Sequence, residues 1–388
     1  MKRITNIPMI EPTVHKQRLI PVAAPDLSHI EQKYLLDAFK SSWISSAGSY
    51  VGRFERAFGV NVSQTSYAVS VNSGTSALHL ALLALGVSEG DEVILPTFTM
   101  IASANAIRYC GATPVFVDAQ IGTWNMDVAQ IEERITKNTK AIMVVHVYGL
   151  PVDMDPVLEL AKKYKLRVIE DAAEAHGAKY KGRSVGSMGD IAAFSLFANK
   201  IITTGEGGMI TTNNKQLAEA VSLLRNHAFG KHRHYWHERV GYSYNMTNLS
   251  AAIGLGQVER FAYLLQKHTE HAYRYERLLT RVSGLTTQTV PAYATPAYWM
   301  FGLRVNAKIF GITRDTLRKY LADHGVETRS FFVPVHQQPA YSDMQKSRSF
   351  PVSEVLSQEG LYLPSSSLLT VQNIRYIASL ITKKTANI

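Results

Sequence analysis

Seven short apolar runs punctuate the first two thirds of the chain: YAVSV (67–71), EVILP (92–96), PVFVD (114–118), AIMVV (141–145), LRVIED (166–171), IAAFSL (191–196) and GGMITT (207–212). They are bounded by turn residues and are too short for buried helices, so they read as strands covered on both faces. Helical patterns lie between most of them. SALHLALLAL follows the first run and DPVLELAKKY precedes the fifth. Strands alternating with helices predict an α/β fold built on a mostly parallel seven-stranded sheet.

From about residue 250 the pattern changes. LSAAIGLGQVERFAYLLQKHTEHAYRYERLLTRV predicts a long connecting helix, and PAYATPAYWMFGLRV opens a series of short strands and helices. The expected division is a large domain over 41–255, a smaller α+β domain over 256–388, and an N-terminal segment, 1–40, packing near the small domain and the active site. That segment is rich in Pro and ends in the helix-like SHIEQKYLLDAFKSS.

Composition narrows the class. A chain of 388 residues with 46% hydrophobic content has material for a sizeable core. The longest apolar stretch, ALHLALLALGV (77–87), is too short to span a bilayer, and the N-terminus lacks an apolar export core, so no membrane insertion is expected. The one cysteine, Cys110, cannot form an intramolecular disulfide and suits a cytoplasmic protein; it has no metal-ligand neighbours at useful spacing. A net charge of +10 favours anionic partners. The densest basic and aromatic stretch, GKHRHYWHER (230–239), carries neither an RNA-binding aromatic motif nor a helix-turn-helix signal, so small anionic molecules are expected rather than nucleic acid.

The chemistry gathers at the carboxyl ends of the strands, where doubly wound sheets bind ligands. After the first strand, NSGTSALHLAL places Gly74 in a tight turn and the N–H groups of Thr75 and Ser76 at a helix start, an anion site or a plain helix cap. After LRVIED, Asp171 stands in apolar surroundings and needs a partner. After IAAFSL come Ser195 and Lys200, followed by the glycines at 205, 207 and 208. A phosphate cradle, a buried carboxylate and a lysine amine together are what pyridoxal 5'-phosphate requires: a Schiff-base lysine, a partner for the pyridine nitrogen and a phosphate site.

EDAAEAHGA, GSMGDIAAFSLFANKIITTGEGGMI, RNHAFG, YNMTNLSAAIGLGQ and VPVHQQPAY extend this picture. From about residue 20 onward the chain resembles the sugar aminotransferases of the DegT/DnrJ/EryC1/StrS family, which have the aspartate aminotransferase fold (fold type I). The resemblance implies amino transfer from L-glutamate to the ketone of an activated sugar for surface polysaccharide synthesis, with GDP-4-keto-6-deoxymannose as the acceptor. Alternative acceptors are dTDP- or UDP-linked ketosugars and 8-keto sugar acids. A dehydratase branch of the family carries His where Lys200 stands, so Lys200 argues for transamination. A regulatory role without catalysis is the alternative from another class, and intact Lys200, Asp171 and Ser195 speak against it.

Further assignments follow from the resemblance. Ser195 matches a serine that binds the cofactor phosphate, and Glu174 a Gln or Glu beside the ring oxygen. Asn245 matches an asparagine given to that phosphate by the neighbouring subunit, which implies a homodimer with shared active sites. Met100 stands where many relatives stack Trp or Tyr on the ring. Ser45, Ser46, His146, Tyr148, His227, Trp236 and His336 fall in regions that line the substrate site.

Overall fold

A computed structural model describes residues 19–230, 233, 235–342, 344 and 348–386. After helices α1 (His29–Lys40) and α2 (Ser49–Phe58), the expected runs appear as strands to within two residues: β1 (Tyr67–Val71), β2 (Glu92–Pro96), β3 (Thr113–Val117), β4 (Thr139–Val145) and β5 (Arg167–Asp171). Helices α3 (Gly74–Ala84), α4 (Ile101–Tyr109) and α5 (Met154–Tyr164) separate them. A two-residue pair, β6 (Lys179–Tyr180) and β7 (Arg183–Ser184), precedes β8 (Ile191–Ser195), β9 (Gly208–Thr212) and α6 (Lys215–Leu224).

The seven long strands form one sheet in the order β1-β9-β8-β5-β4-β2-β3. It is mostly parallel, as expected, with β9 running antiparallel to both neighbours. The loop of residues 196–207 explains the exception: ending in glycines, it brings the chain back beside β8, so that Gly208 pairs with Ser195. Successive strand residues point to opposite faces. Ile94 and Ile142 therefore join Phe54, Phe58 and Phe194 in the core on one side, while Leu95 and Met143 join Leu80 and Ile210 on the other. Each such fully buried side chain contributes roughly 1.5–3 kcal/mol, which is why a strand covered on both faces must be apolar at nearly every position.

The long connecting helix expected after residue 250 is two helices, α7 (Asn248–Glu259) and α8 (Phe261–Leu279). Arg260 breaks it with φ −99° and ψ 2°, its guanidinium bound 2.6 Å from Asp26 and 3.2 Å from Glu31. α7 packs on α1 and α2, while Phe261 and Leu264 at the start of α8 still join the core that holds Phe54 and Phe194. Then follow β10 (Leu285–Thr287), β11 (Ala294–Thr295), β12 (Phe301–Val305), α9 (Ala307–Phe310), α10 (Arg314–Asp323), β13 (Arg329–Ser330), α11 (Pro351–Glu359), β14 (Gly360–Leu363) and α12 (Val371–Ala386). β10, β12, β14 and β13 make a small antiparallel sheet, while β11 pairs with β6.

Of the N-terminal segment 1–40, the first 18 residues lie outside the described ones. Ile20 bridges to Val326, and Val22 N–H donates to Glu327 at 3.0 Å, which sets this strap beside the small sheet. Among the described residues no helix is long and apolar enough to cross a membrane.

Candidate active site

The end of β5 shows how alternation divides labour. Glu170 and Asp171 are neighbours on opposite faces. Glu170 accepts from the N–H groups of Gly186, Met188 and Gly189 at 2.7–2.8 Å and from His146 Nε2 at 3.2 Å. Burial pushes its pKa up, yet His146 and these amides hold it below the ordinary carboxylate value. It is a structural anion.

Asp171 faces the other way. Ser103 Oγ donates to it at 2.7 Å and Ala173 N–H at 3.1 Å, and the carboxylate is 5% exposed. Burial raises its pKa despite these donors and the Lys200 charge. Such a group gains from a further cationic donor such as a protonated ring nitrogen. Ser103, one turn into α4, is itself 3.1 Å from Thr99 Oγ1. Sequence reasoning missed Ser103; the available signal was a small polar residue just after the β2 strand end.

Glu174 and Lys200 complete the floor. Tyr148 N–H donates to Glu174 Oε2 at 2.7 Å, and Glu174 Oε1 lies 4.0 Å from Lys200 Nζ. Burial pushes Glu174 up to about 7, with Lys200 and the Tyr148 amide opposing and Asp171 adding. Burial also pushes the Lys200 amine down, with Glu174 and Asp171 opposing. A lysine held at 10% exposure next to two carboxylates is not the snorkelling kind. Trp299, absent from the sequence expectations as a site residue, lies under the amine. Behind the floor, burial drives His176 down to about 3, so it stays neutral.

The phosphate expectation can be tested on the backbone. A Cβ added to Gly74 would stand 2.9 Å from Ser195 Cβ, and one added to Gly208 would meet the Ser73 carbonyl oxygen at 2.3 Å. Glycine is thus required for β1, β8 and β9 to bring the start of α3 against Ser195. Ser76 is otherwise engaged: its N–H and hydroxyl form a capping box with Ser73, and its hydroxyl also donates to Asn72 at 2.6 Å. The first-turn N–H groups of Gly74 and Thr75 and the Ser195 hydroxyl remain the donor set. With Asp171 and Lys200 at the adjacent strand ends, these residues fit pyridoxal phosphate.

Three substrate-lining expectations meet a different placement. His146 shares Glu170's side of the sheet, fully buried, with Val152 N–H donating to Nδ1 at 3.0 Å and Nε2 on Glu170. Tyr148 is 1% exposed inside a ring cluster of Trp124, Phe331, Phe332 and Trp299, so its amide rather than its hydroxyl serves the site. His336 ties the end of β2 to α11, with Thr97 Oγ1 at 2.8 Å and Glu354 Oε1 at 3.2 Å. In each case the burial of the ring, or both of its nitrogens being engaged, leaves little to offer a substrate.

The other candidates, which the resemblance assigns to the site, lie at exposed or half-exposed positions. Met100 caps α4 at 53% exposure, and Trp236 is 51% exposed. Ser45 and Ser46 are exposed in a loop tied to α7, where Asn248 N–H donates to the Ser45 carbonyl at 2.8 Å. His227 is exposed with φ 55°, its carbonyl accepting from His237 Nδ1 at 2.7 Å. Asn245 bridges to Val71 through its backbone and donates to Asn226 Oδ1 at 2.8 Å. Among the described residues none of these is hydrogen-bonded or ion-paired to Lys200.

Comparison with known proteins agrees with this geometry. The DegT/DnrJ/EryC1/StrS aminotransferase family matches residues 25–382. A protein of Escherichia coli O157:H7 named GDP-perosamine synthase is 46% identical over 94% of this chain and 98% of its own length. One of Caulobacter vibrioides with the same name is 46% identical over 93% and 97%. A Streptococcus pneumoniae protein named "putative sugar aminotransferase", solved in its PLP form, superposes with a TM-score of 0.88 at 28% identity, covering 95% of this chain and 99% of the other.

Proposed function

The chain belongs to the DegT/DnrJ/EryC1/StrS aminotransferase family, and on that premise we propose that it moves an amino group from L-glutamate to the ketone of GDP-4-keto-6-deoxymannose, giving GDP-perosamine. The observation that carries the reaction class is Lys200, its side chain 10% exposed, grouped with the buried Glu174 and Asp171 just beyond adjacent strand ends. A protein with no chemistry to perform would gain nothing from burying a lysine beside two carboxylates. The sugar rests on the two synthases that share 46% identity with this chain.

The enzyme uses pyridoxal 5'-phosphate. When bound, that cofactor supplies a carbonyl that captures the donor's amino group and a protonated ring that accepts the electron pair of the breaking Cα–H bond. Gly74 and Thr75 at the start of α3, with the Ser195 hydroxyl, bind the phosphate. Asp171, oriented by Ser103 and the Ala173 amide, holds a proton on the ring nitrogen. Lys200 anchors the cofactor and, once displaced by the donor, takes the proton from its α-carbon at Nζ. Glu174, braced by the Tyr148 amide, would face the ring oxygen and balances the charge of Lys200 from 4.0 Å.

We also infer a homodimer in which Asn245 serves the phosphate site of the partner subunit, and a division into large and small domains with the N-terminal strap beside the latter. The exposed aromatic and apolar residues Trp43, Ile44, Met100, Phe197 and Trp236 supply a surface of the right kind for a second copy. The substrates are small anionic molecules and the setting is the cytoplasm, where a lone cysteine stays reduced.

The test is incubation with L-[15N]glutamate, pyridoxal phosphate and GDP-4-keto-6-deoxymannose, followed by mass spectrometry of the nucleotide sugar. A product carrying the labelled amino group is expected. Preference for a dTDP- or UDP-linked ketosugar or an 8-keto sugar acid would overturn the sugar, and amination of none would overturn the reaction class.

A further inference from the structure

The free amine of Lys200 rests against a group that the chemistry above does not use. Its Nζ is 3.5 Å from the centroid of the Trp299 ring, closer than the 4.0 Å to Glu174 Oε1. A cation over an indole face is attracted by the ring's quadrupole, most strongly where both are desolvated. Here the lysine side chain is 10% exposed and Trp299 is 3% exposed.

Trp299 is fixed from several sides. Its Nε1 donates at 2.7 Å to the carbonyl of Asn199, the residue before the lysine, so the indole and the turn bearing Lys200 are one unit. The backbone beside it presses on the turn at Gly149, whose φ is 92°. A Cβ there would meet the amide nitrogens of Tyr298 and Trp299 at 3.1 Å and the Glu174 carbonyl at 3.0 Å. Ala297 N–H closes the contact by donating to the Gly149 carbonyl at 2.9 Å. The Tyr148 and Tyr362 rings pack at 6.3 Å and 6.4 Å from the indole. The small-sheet unit thereby delivers one aromatic face to the floor of the large sheet.

We propose that Trp299 is a positioning residue whose indole face is the resting place of the Lys200 ammonium during the half of the cycle in which the lysine is free of the cofactor. The inference rests on the reading of Lys200 as the cofactor's anchor. A released lysine has a flexible four-carbon stem and much rotamer freedom to lose before it acts again. Seated on the indole, it stays beside Glu174 and Asp171 in the pocket it must re-enter. Those two carboxylates and His176 are the titratable groups around the amine, and His176 stays neutral. Burial lowers the amine's pKa, and the ring face opposes that by stabilising the charged form.

The test uses holoenzyme containing lysine labelled with carbon-13 at the ε position, converted by L-glutamate to the aminated form of its cofactor. The Lys200 ε-methylene signal is assigned by its loss in Lys200→Ala. Its protons should lie upfield of the other lysines, under the indole ring current. Trp299→Leu should return them to the ordinary position and lower the pH at which Lys200 titrates. In the same variant kcat should fall roughly tenfold while KM for L-glutamate stays within about twofold, and Trp299→Phe should lie between in all three readouts.

A wild-type Lys200 signal among those of the other lysines would overturn the proposal. So would a signal that stays displaced and titrates at the same pH in Trp299→Leu, or in Trp299→Phe should the leucine variant not fold. Retained turnover in Lys200→Ala would overturn the anchor assignment itself, a failure separate from that of the indole.

Discussion

The floor of the candidate site and its rim are built on different principles. On the floor, Asp171, Glu174 and Lys200 stand at or just beyond the ends of adjacent sheet strands, the two carboxylates buried and the lysine nearly so, with the carboxylates placed by sheet register, by Ser103 and by the Tyr148 amide. The residues proposed for the rim, Ser45, Ser46, Met100, His227 and Trp236, lie in exposed loops or at a helix start, and none is hydrogen-bonded or ion-paired to Lys200 among the described residues. The floor carboxylates find their hydrogen-bond partners within one chain, whereas Met100 and Trp236 expose apolar surface. On the proposed reading, reaction type belongs to the sheet and substrate choice to the exposed loops.

The largest effect should come from the floor. Lys200→Ala removes the amine that anchors and transfers the proton, so turnover should drop by more than roughly 10³-fold, while circular dichroism and the melting curve stay near those of the parent. Near-native activity would dissolve the distinction between floor and rim. Asp171→Ala should follow, with kcat down by roughly 10²- to 10³-fold because the ring nitrogen loses its counter-charge. An unchanged kcat would remove that assignment.

A rim residue should behave otherwise. Trp236→Ala is expected to raise KM for the nucleotide sugar by roughly three- to tenfold and to leave the glutamate half-reaction as it was. A defect in the glutamate half-reaction would move Trp236 to the floor. The smallest effect concerns stability in the cofactor-free protein. The folded pKa of Glu174 is raised from 4.5 to about 7 by burial. Its protonated form thus contributes stability that is fully present below about 4.5 and lost as pH rises through about 7. Urea midpoints measured at about pH 5 and about pH 8 should fall less between the two in Glu174→Gln than in the parent; equal slopes would mean the carboxyl does not titrate there.

The same contrast separates what was legible in the sequence from what was not. Strand runs carry their signal in apolar content alone, so the sheet and the residues just past its strand ends could be read directly. Asp171, Ser195 and Lys200 are singled out that way. His146 and Tyr148 lie just past β4 as well, but which side of the sheet a ring takes depends on alternation and on the turn, with Tyr148 at φ 54°. The turn put one beside Glu170 and the other into an aromatic cluster. Ser103 and Trp299 escaped because their roles arise from contacts across 68 and 100 residues of chain. The break at Arg260 escaped for a similar reason, since its partners Asp26 and Glu31 lie at the other end of the sequence.

The most direct measurement is the absorbance of the bound cofactor through two successive half-reactions, first with L-glutamate and then with GDP-4-keto-6-deoxymannose, in the parent and in Lys200→Ala. The account predicts that glutamate abolishes the parent's aldehyde-form band, that the ketosugar restores it stoichiometrically, and that the variant completes neither change at a comparable rate. A parent that ignores L-glutamate, or a Lys200→Ala protein that cycles normally, would contradict it.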